Sequence, residues 1–195
     1  MNASIKRHFK QYDQHSTKNT PAFSVRELDA FLKKDDSKVF IYDQLENMTL
    51  NDLFGTNENK AQYAVILYLS DYRPAGHYIV LLNHGLLDNN YNLIEYFDPT
   101  GTGVDKPCEI LNINPELKKR TFVQDMISRT EGIFTVIVND YKFQPLETMT
   151  CGKHVISRLL AFNTSLDTYK QILTGNKYWT PDEIVDKMIR IRLDR

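Results

Sequence analysis

Four segments rich in β-branched and aromatic residues predict a β-sheet. They lie at residues 63–69, 77–82, 91–97 and 133–138. The first two are almost continuously apolar instead of alternating between apolar and polar residues, so we expect this sheet to be covered on both faces. With 195 residues, the chain is long enough for one domain around such a core and short for two. We therefore expect a single domain that spans residues 1–195.

Helices are predicted on both sides of this strand-rich region. The further predicted elements are a helix that begins at Ser24, a short strand at 39–42, a helical turn at 49–54, and helices at 151–162, at 165–173 and from Thr180 onward. Ser24 is followed three residues later by Glu27, which is the pattern of a capping box. Residues 1–22 are polar with weak periodicity, and we expect a helix or a loose accessory arm there. The pattern predicts an α+β fold in which helices flank the sheet.

His77 and Asp98 lie at the outer ends of the second and third predicted strands. If these strands form an antiparallel hairpin, pairing Leu82 with Leu93 places His77 directly opposite Asp98. A carboxylate in that position accepts the imidazole N–H, fixes the tautomer and favours the imidazolium form. The alternative is a surface histidine and an aspartate that only starts a turn, because Pro-Thr-Gly follows Asp98 as in a β-turn.

Cys151 opens a predicted helix and is followed by Gly152. The unpaired N–H groups and the dipole at a helix N-terminus stabilise an anion, so a thiol there is biased toward the thiolate. Gly152 leaves room beside the sulfur for a substrate carbonyl. The alternative is a buried structural cysteine, since cysteine is among the most buried residue types. Cys108, the other cysteine, has no such setting.

Gln144 precedes Cys151 with six residues between them. An amide between a strand and the Cys151 helix can point at the pocket where the oxygen of a tetrahedral intermediate develops. With the backbone N–H of Cys151 it would form an oxyanion hole. A thiol, an imidazole, a carboxylate and an amide in the chain order His77, Asp98, Gln144, Cys151 are the parts of a cysteine protease.

Other kinds of site are less well supported by the sequence. Cys151 and His154 resemble half of a zinc site, but no paired Cys or His spacing supplies the remaining ligands. The stretch at residues 101–103, Gly-Thr-Gly, lacks the Lys-Ser/Thr of a phosphate loop. His154 lies on the same helix as Cys151, and its side chain would project parallel to the thiol rather than toward it. We expect neither a metal nor a cofactor.

The net charge and the cysteine content indicate which binding partners and which cellular compartment to expect. The formal net charge is −1, which gives no electrostatic support for nucleic-acid binding. Two cysteines cannot build a disulfide framework, and no N-terminal apolar stretch resembles a secretion signal, so we expect a reducing, intracellular compartment. No segment approaches the ~18 uninterrupted apolar residues of a membrane span. We expect a monomer.

Taken together, these motifs resemble the adenovirus-protease (adenain) and SUMO-protease superfamily. The resemblance rests on His77-Tyr78, on the run of residues 96–101 that contains Asp98, and on the spacing from Gln144 to Cys151-Gly152. It implies a papain-type fold in circularly permuted order, with a mixed central sheet flanked by helices. It also implies catalysis by Cys151, His77 and Asp98, with Gln144 as the oxyanion donor and with Gly152 and Tyr78 close to the substrate.

The resemblance further implies a viral maturation protease, as found in virophages and Maverick-type elements. Its substrate would be a capsid or core precursor protein, cleaved in the virion or in the host cytoplasm. A peptide or DNA activator is known in the superfamily, and the near-neutral charge gives no independent support for DNA here. The superfamily pattern has Trp where this chain has Tyr78, which puts restriction to Gly-Gly substrates in doubt. The alternatives are an isopeptidase acting on ubiquitin or SUMO conjugates and a non-catalytic binding module.

Overall fold

The computed structural model describes residues 28, 32, 39–55, 61–69, 76–86, 92–110, 115–130, 132 and 134–193. The predicted arm at residues 1–22 and the capping box at Ser24 lie outside these residues. From the helix predicted after Ser24, Leu28 and Leu32 are described, and both are buried in the core.

The five predicted strands form one mixed sheet in sequence order. They are β1 (Val39–Ile41), β2 (Tyr63–Leu69), β3 (Gly76–Leu86), β4 (Asn92–Phe97) and β5 (Phe134–Val138). β3 pairs with β2 and β4 in antiparallel orientation, whereas β1–β2 and β4–β5 are parallel pairs. The existence of all five strands is confirmed, and β3 is longer than predicted.

Helices flank this sheet. They are α1 (Leu50–Phe54), α2 (Pro107–Ile110), α3 (Phe122–Arg129), α4 (Cys151–Leu160), α5 (Leu166–Thr174) and α6 (Pro181–Leu193), with 3₁₀ turns at Tyr42–Leu45 and Leu117–Lys119. The sequence predicted α1, α4, α5 and α6. It missed α3, although that helix buries Phe122, Val123 and Met126 at helical spacing. No helix among the described residues has both the length and the apolar character needed to cross a membrane.

Both faces of the sheet are covered, as predicted. On one face, strand residues such as Val65, Val80 and Phe97 pack with buried residues of α4, α5 and α6. On the other face, residues such as Ile66 and Ile79 pack with α1, α3 and the first 3₁₀ turn. Because consecutive strand residues point to opposite faces, a strand buried on both sides reads as a continuous apolar run.

Helix α4 is fixed to the sheet by a buried ion pair. Arg158 donates from Nε to Glu95 Oε1 at 2.6 Å and from Nη2 to Glu95 Oε2 at 2.6 Å. Both side chains are buried, and Arg158 also donates to the carbonyls of Ala161 and Thr164. A bidentate pair with its remaining donors satisfied holds a defined geometry, so the far end of α4 is anchored on β4. Cys151 lies at the opposite end of this helix.

The predicted register of the β3–β4 hairpin was wrong by two residues. Leu82 pairs with Glu95 and not with Leu93, so His77 does not lie directly opposite Asp98. The prediction ended the strand before Gly85, but β3 continues to Leu86 and an irregularity lies between Asn83 and Gly85. A shift of two residues preserves the face on which each side chain lies. His77 and Asp98 are therefore diagonal neighbours on the same face.

Candidate active site

Asp98 follows the last residue of β4 and is held by the turn that it starts. The Gly101 N–H donates to the Asp98 carbonyl at 2.9 Å, which confirms the predicted β-turn. Asp98 Oδ1 accepts from the backbone N–H and hydroxyl of Thr100, and Oδ2 accepts from the backbone N–H and hydroxyl of Thr102. Asn139 clamps the Asp98 backbone on both its N–H and its carbonyl, each at 2.7 Å. The carboxylate is therefore rigidly oriented.

His77 uses Nε2 to contact this carboxylate. The distance from His77 Nε2 to Asp98 Oδ1 is 2.7 Å, and both side chains are buried. Burial opposes the charge on His77, but the hydrogen bonds to Asp98 and Cys151 and their negative charges outweigh it and raise the pKa of His77 to about 10. Burial likewise opposes the charge on Asp98, yet His77 and the two threonines lower the Asp98 pKa. The pair is an imidazolium with a carboxylate.

Cys151 is the first residue of α4 and lies beside the start of β3. Its Sγ is 3.9 Å from the carbonyl oxygen of Gly76, the residue that precedes His77. Asp98 occupies His77 Nε2, so Nδ1 is the ring nitrogen that remains for an interaction with Cys151. Gly76 packs so closely on β2 that a Cβ would lie 2.6 Å from the Tyr68 carbonyl oxygen. The strand that carries His77 therefore needs glycine at this position.

Gln144 lies in the loop between β5 and α4, which packs against the turn after Asp98. The backbone N–H of Gln144 donates to the Pro99 carbonyl at 2.9 Å. Its side-chain Nε2 donates to the Thr148 carbonyl at 2.7 Å, whereas Oε1 is buried with no hydrogen-bond partner among the described residues. The Thr148 carbonyl fixes the orientation of the amide, because a flipped amide would bring two oxygens together. One N–H of Nε2 remains for another acceptor.

The two residues predicted to lie near the substrate are both buried. Tyr78 is 5% exposed and belongs to the core cluster that contains Cys151 and Val155. Gly152 is buried within the first turn of α4. The structure thus brings His77, Asp98 and Cys151 together, and Gln144 lies on the loop before the Cys151 helix, in contact with the turn after Asp98.

Several residues that support the site were missed in the sequence. Thr100, Thr102 and Asn139 orient Asp98, and the first two form the Asx-type turn that Asp-Pro-Thr-Gly-Thr indicates locally. His154 contacts a different residue: its Nε2 lies 2.7 Å from Asp182 Oδ1 on α6. No sequence signal pairs His154 with a residue 28 positions away. Within the described ranges, no group of three or more His, Cys, Asp or Glu residues is placed to hold a metal ion.

The His77–Asp98 pair predicts a pH dependence of folding stability. The folded-state pKa of His77 lies above its ordinary 6.5, so its contribution is full below pH 6.5 and is lost as the pH rises through about 10. The Asp98 contribution is present above pH 3.8 and is lost as the pH falls through its lowered pKa. Between pH 6.5 and 10, the wild type should lose up to about 1.4 kcal/mol of unfolding free energy per pH unit relative to His77→Gln. Urea unfolding of both proteins at several pH values in this range measures the difference. The same change of unfolding free energy with pH in the two proteins would contradict the prediction.

Comparison with known proteins places the chain far from characterised sequences. No protein-family model matches it, and no curated protein matches it. Among solved structures it is similar to the crystal structure of the ASFV pS273R protease, with 12% sequence identity and a TM-score of 0.43 over 83% of this chain. The chain spans 61% of that protein's length.

Proposed function

We propose that this chain is a cysteine endopeptidase with Cys151 as nucleophile. The observation that carries the proposal is the buried His77–Asp98 contact of 2.7 Å beside a cysteine at a helix N-terminus. A carboxylate that orients an imidazole, which in turn contacts a thiol, is the arrangement of nucleophile, base and orienting group used in covalent catalysis. A buried structural cysteine has no need of such an ion pair.

In the proposed reaction, His77 holds the proton and Cys151 attacks as the thiolate. The sulfur bonds to the carbonyl carbon of the scissile peptide, and the carbonyl electron pair moves onto its oxygen. His77 then donates the proton to the leaving amine as the C–N bond breaks, which leaves an acyl-enzyme. Water adds to the thioester, with His77 taking its proton, and the carboxylic acid product leaves as the Cys151–carbon bond breaks.

The oxyanion would be held by the first turn of α4 and by Gln144. The hydroxyl of Thr150, the residue before the helix, does not cap α4 and instead donates to Asp182. The backbone N–H of Cys151 lies in the first turn of α4 and so has no acceptor within the helix. Gln144 Nε2 has a second N–H beyond the one on Thr148. Each such donor lowers the barrier by roughly 3–4 kcal/mol in acyl-transfer enzymes.

The proposals for the fold topology, the substrate and the location come from the motif resemblance to the superfamily. We propose a papain-type fold in circularly permuted order and a viral maturation role in which the substrate is a capsid or core precursor protein. The enzyme would act as a monomer in the virion and the host cytoplasm, without a cofactor. Leu146 and Met149 are half-exposed on the segment that leads into Cys151. They offer an apolar surface beside the nucleophile to an unfolded precursor segment.

A peptide-library experiment tests this function and separates it from the isopeptidase alternative. We expect the wild type to cleave internal bonds of unstructured peptides, and cleavage to stop after Cys151 is alkylated. Probes that carry an electrophile at the C-terminus of ubiquitin or SUMO should label Cys151 slowly. Rapid labelling together with no internal cleavage would favour the isopeptidase. Cys151 that reacts with iodoacetamide no faster than a free cysteine would favour a non-catalytic module.

A further inference from the structure

Asp182 lies in the first turn of α6, but its carboxylate serves a different helix. The N-terminus of α6 is already capped: Thr180 N–H donates to Glu183 Oε2 at 2.8 Å and Glu183 N–H donates to Thr180 Oγ1 at 3.3 Å. Asp182 Oδ1 instead accepts from Thr150 Oγ1 at 2.8 Å and contacts His154 Nε2 at 2.7 Å. The capping role that would explain an aspartate at this position is therefore taken by other residues.

Two of the residues that Asp182 contacts, Thr150 and His154, lie on either side of Cys151 in the chain. Thr150 directly precedes it, and the His154 N–H closes the first turn of α4 on the Thr150 carbonyl at 3.0 Å. His154 is fully buried, so the ring cannot turn to water when its contact with Asp182 is lost. A single carboxylate thus holds both ends of the helical turn that carries the nucleophile. Arg158 anchors the opposite end of the same helix.

We propose that Asp182 is a positioning residue that fixes the first turn of α4 for catalysis, a role that rests on the proposed function of Cys151. The backbone of Thr150, with φ −101° and ψ 5°, is not in the extended conformation of a capping residue, and its side chain makes no cap. Asp182 draws this hydroxyl toward α6. This hydroxyl therefore does not bind the N–H groups of Gly152 and Lys153, as a capping side chain would, and it ties the start of α4 to Asp182 instead.

Alanine and asparagine at position 182 test the proposal against a matched control. Asp182→Ala removes both contacts, and we expect kcat to fall about 10- to 100-fold with KM changed less than about twofold, because misplacing a reacting group acts on the chemical step. Asp182→Asn keeps an oxygen that accepts both hydrogen bonds and should retain most of kcat. The control is Glu183→Ala, the neighbouring residue, which removes contacts to Thr180 at the start of α6 and should leave kcat near wild type.

The readouts distinguish positioning from general stability. Thermal melting of the variants is compared with kcat. A kcat loss in Glu183→Ala equal to that in Asp182→Ala, or an unchanged kcat in Asp182→Ala, would overturn the role of Asp182. If Asp182→Ala does not fold, Thr150→Val breaks one of the two contacts and should lower kcat several-fold.

Iodoacetamide labelling measures the reactivity of Cys151 without a peptide substrate. A wild type that neither cleaves peptides nor labels rapidly refutes the proposed function itself, whereas an active wild type with unaffected variants refutes only the positioning role.

Discussion

Cys151→Ala is expected to abolish peptide cleavage while the protein stays folded. Removing the nucleophile of a triad lowers kcat by about 10⁶-fold in enzymes of this mechanistic type, and the residual rate comes from binding and the oxyanion site. The cysteine is 7% exposed and lies at a helix terminus beside the start of the central strand β3, so losing one sulfur atom leaves a small cavity. We expect the free energy of unfolding to change by no more than about 1–2 kcal/mol. Fragment analysis by mass spectrometry measures cleavage, and urea denaturation measures stability.

Cys108→Ala supplies the matched control for this experiment. It removes the other thiol of the chain and should leave cleavage unchanged. Full processing of substrate by Cys151→Ala would remove the basis of the proposed function. Loss of cleavage in both variants would point to a general requirement for thiols, which the geometry at His77 does not predict.

The elements of the fold could be predicted because their signals are local. The continuous apolar run of β2 and the helical spacing of Val155, Ile156 and Leu159 in α4 each identify an element and its covered faces. Which residues pair between two strands depends on more than the sequence of either strand. The bulge between Asn83 and Gly85 and the extension of β3 to Leu86 together give a register two residues from the predicted one. Gly85, with φ 81°, is a residue type that bulges use, but glycine is equally typical of a turn.

The site shows the same division between local and distant signals. His77 and Asp98 could be paired despite the wrong register, because a two-residue shift keeps both on one face and the imidazole reaches its diagonal neighbour. The roles of Thr150 and Asp182 could not be predicted, since their contact joins residues 32 positions apart on two helices whose crossing is set by packing. The sequence around Thr180 indicates only a helix start, and Asp182 is an ordinary residue in that context.

Asp98→Asn is expected to lower kcat about 10³- to 10⁴-fold with little change in KM. The asparagine has nearly the same shape, so the substrate should still bind. His77 loses its buried negative partner, which lowers the pKa of His77 and removes the charged group that orients its ring. The amide also cannot accept every hydrogen bond that the carboxylate accepts, because one of its two ends carries N–H donors. Initial rates over a range of substrate concentrations give kcat and KM separately.

Thr102→Val separates the charge of Asp98 from its local hydrogen bonding. It removes the hydroxyl that donates to Oδ2 but leaves the contact of Oδ1 with His77. Losing one hydrogen bond to a charged group costs about 1.5–3 kcal/mol of stability, whereas kcat should remain within about threefold to tenfold of wild type because the imidazolium keeps its partner. If Asp98→Asn retained more than a tenth of wild-type kcat, or if Thr102→Val lost as much activity, the Asp98 charge would not be what sustains His77. We expect kcat of Asp98→Asn to lie far below kcat of Thr102→Val. The first substitution removes the negative charge that His77 contacts, whereas the second removes only a hydrogen bond to Oδ2.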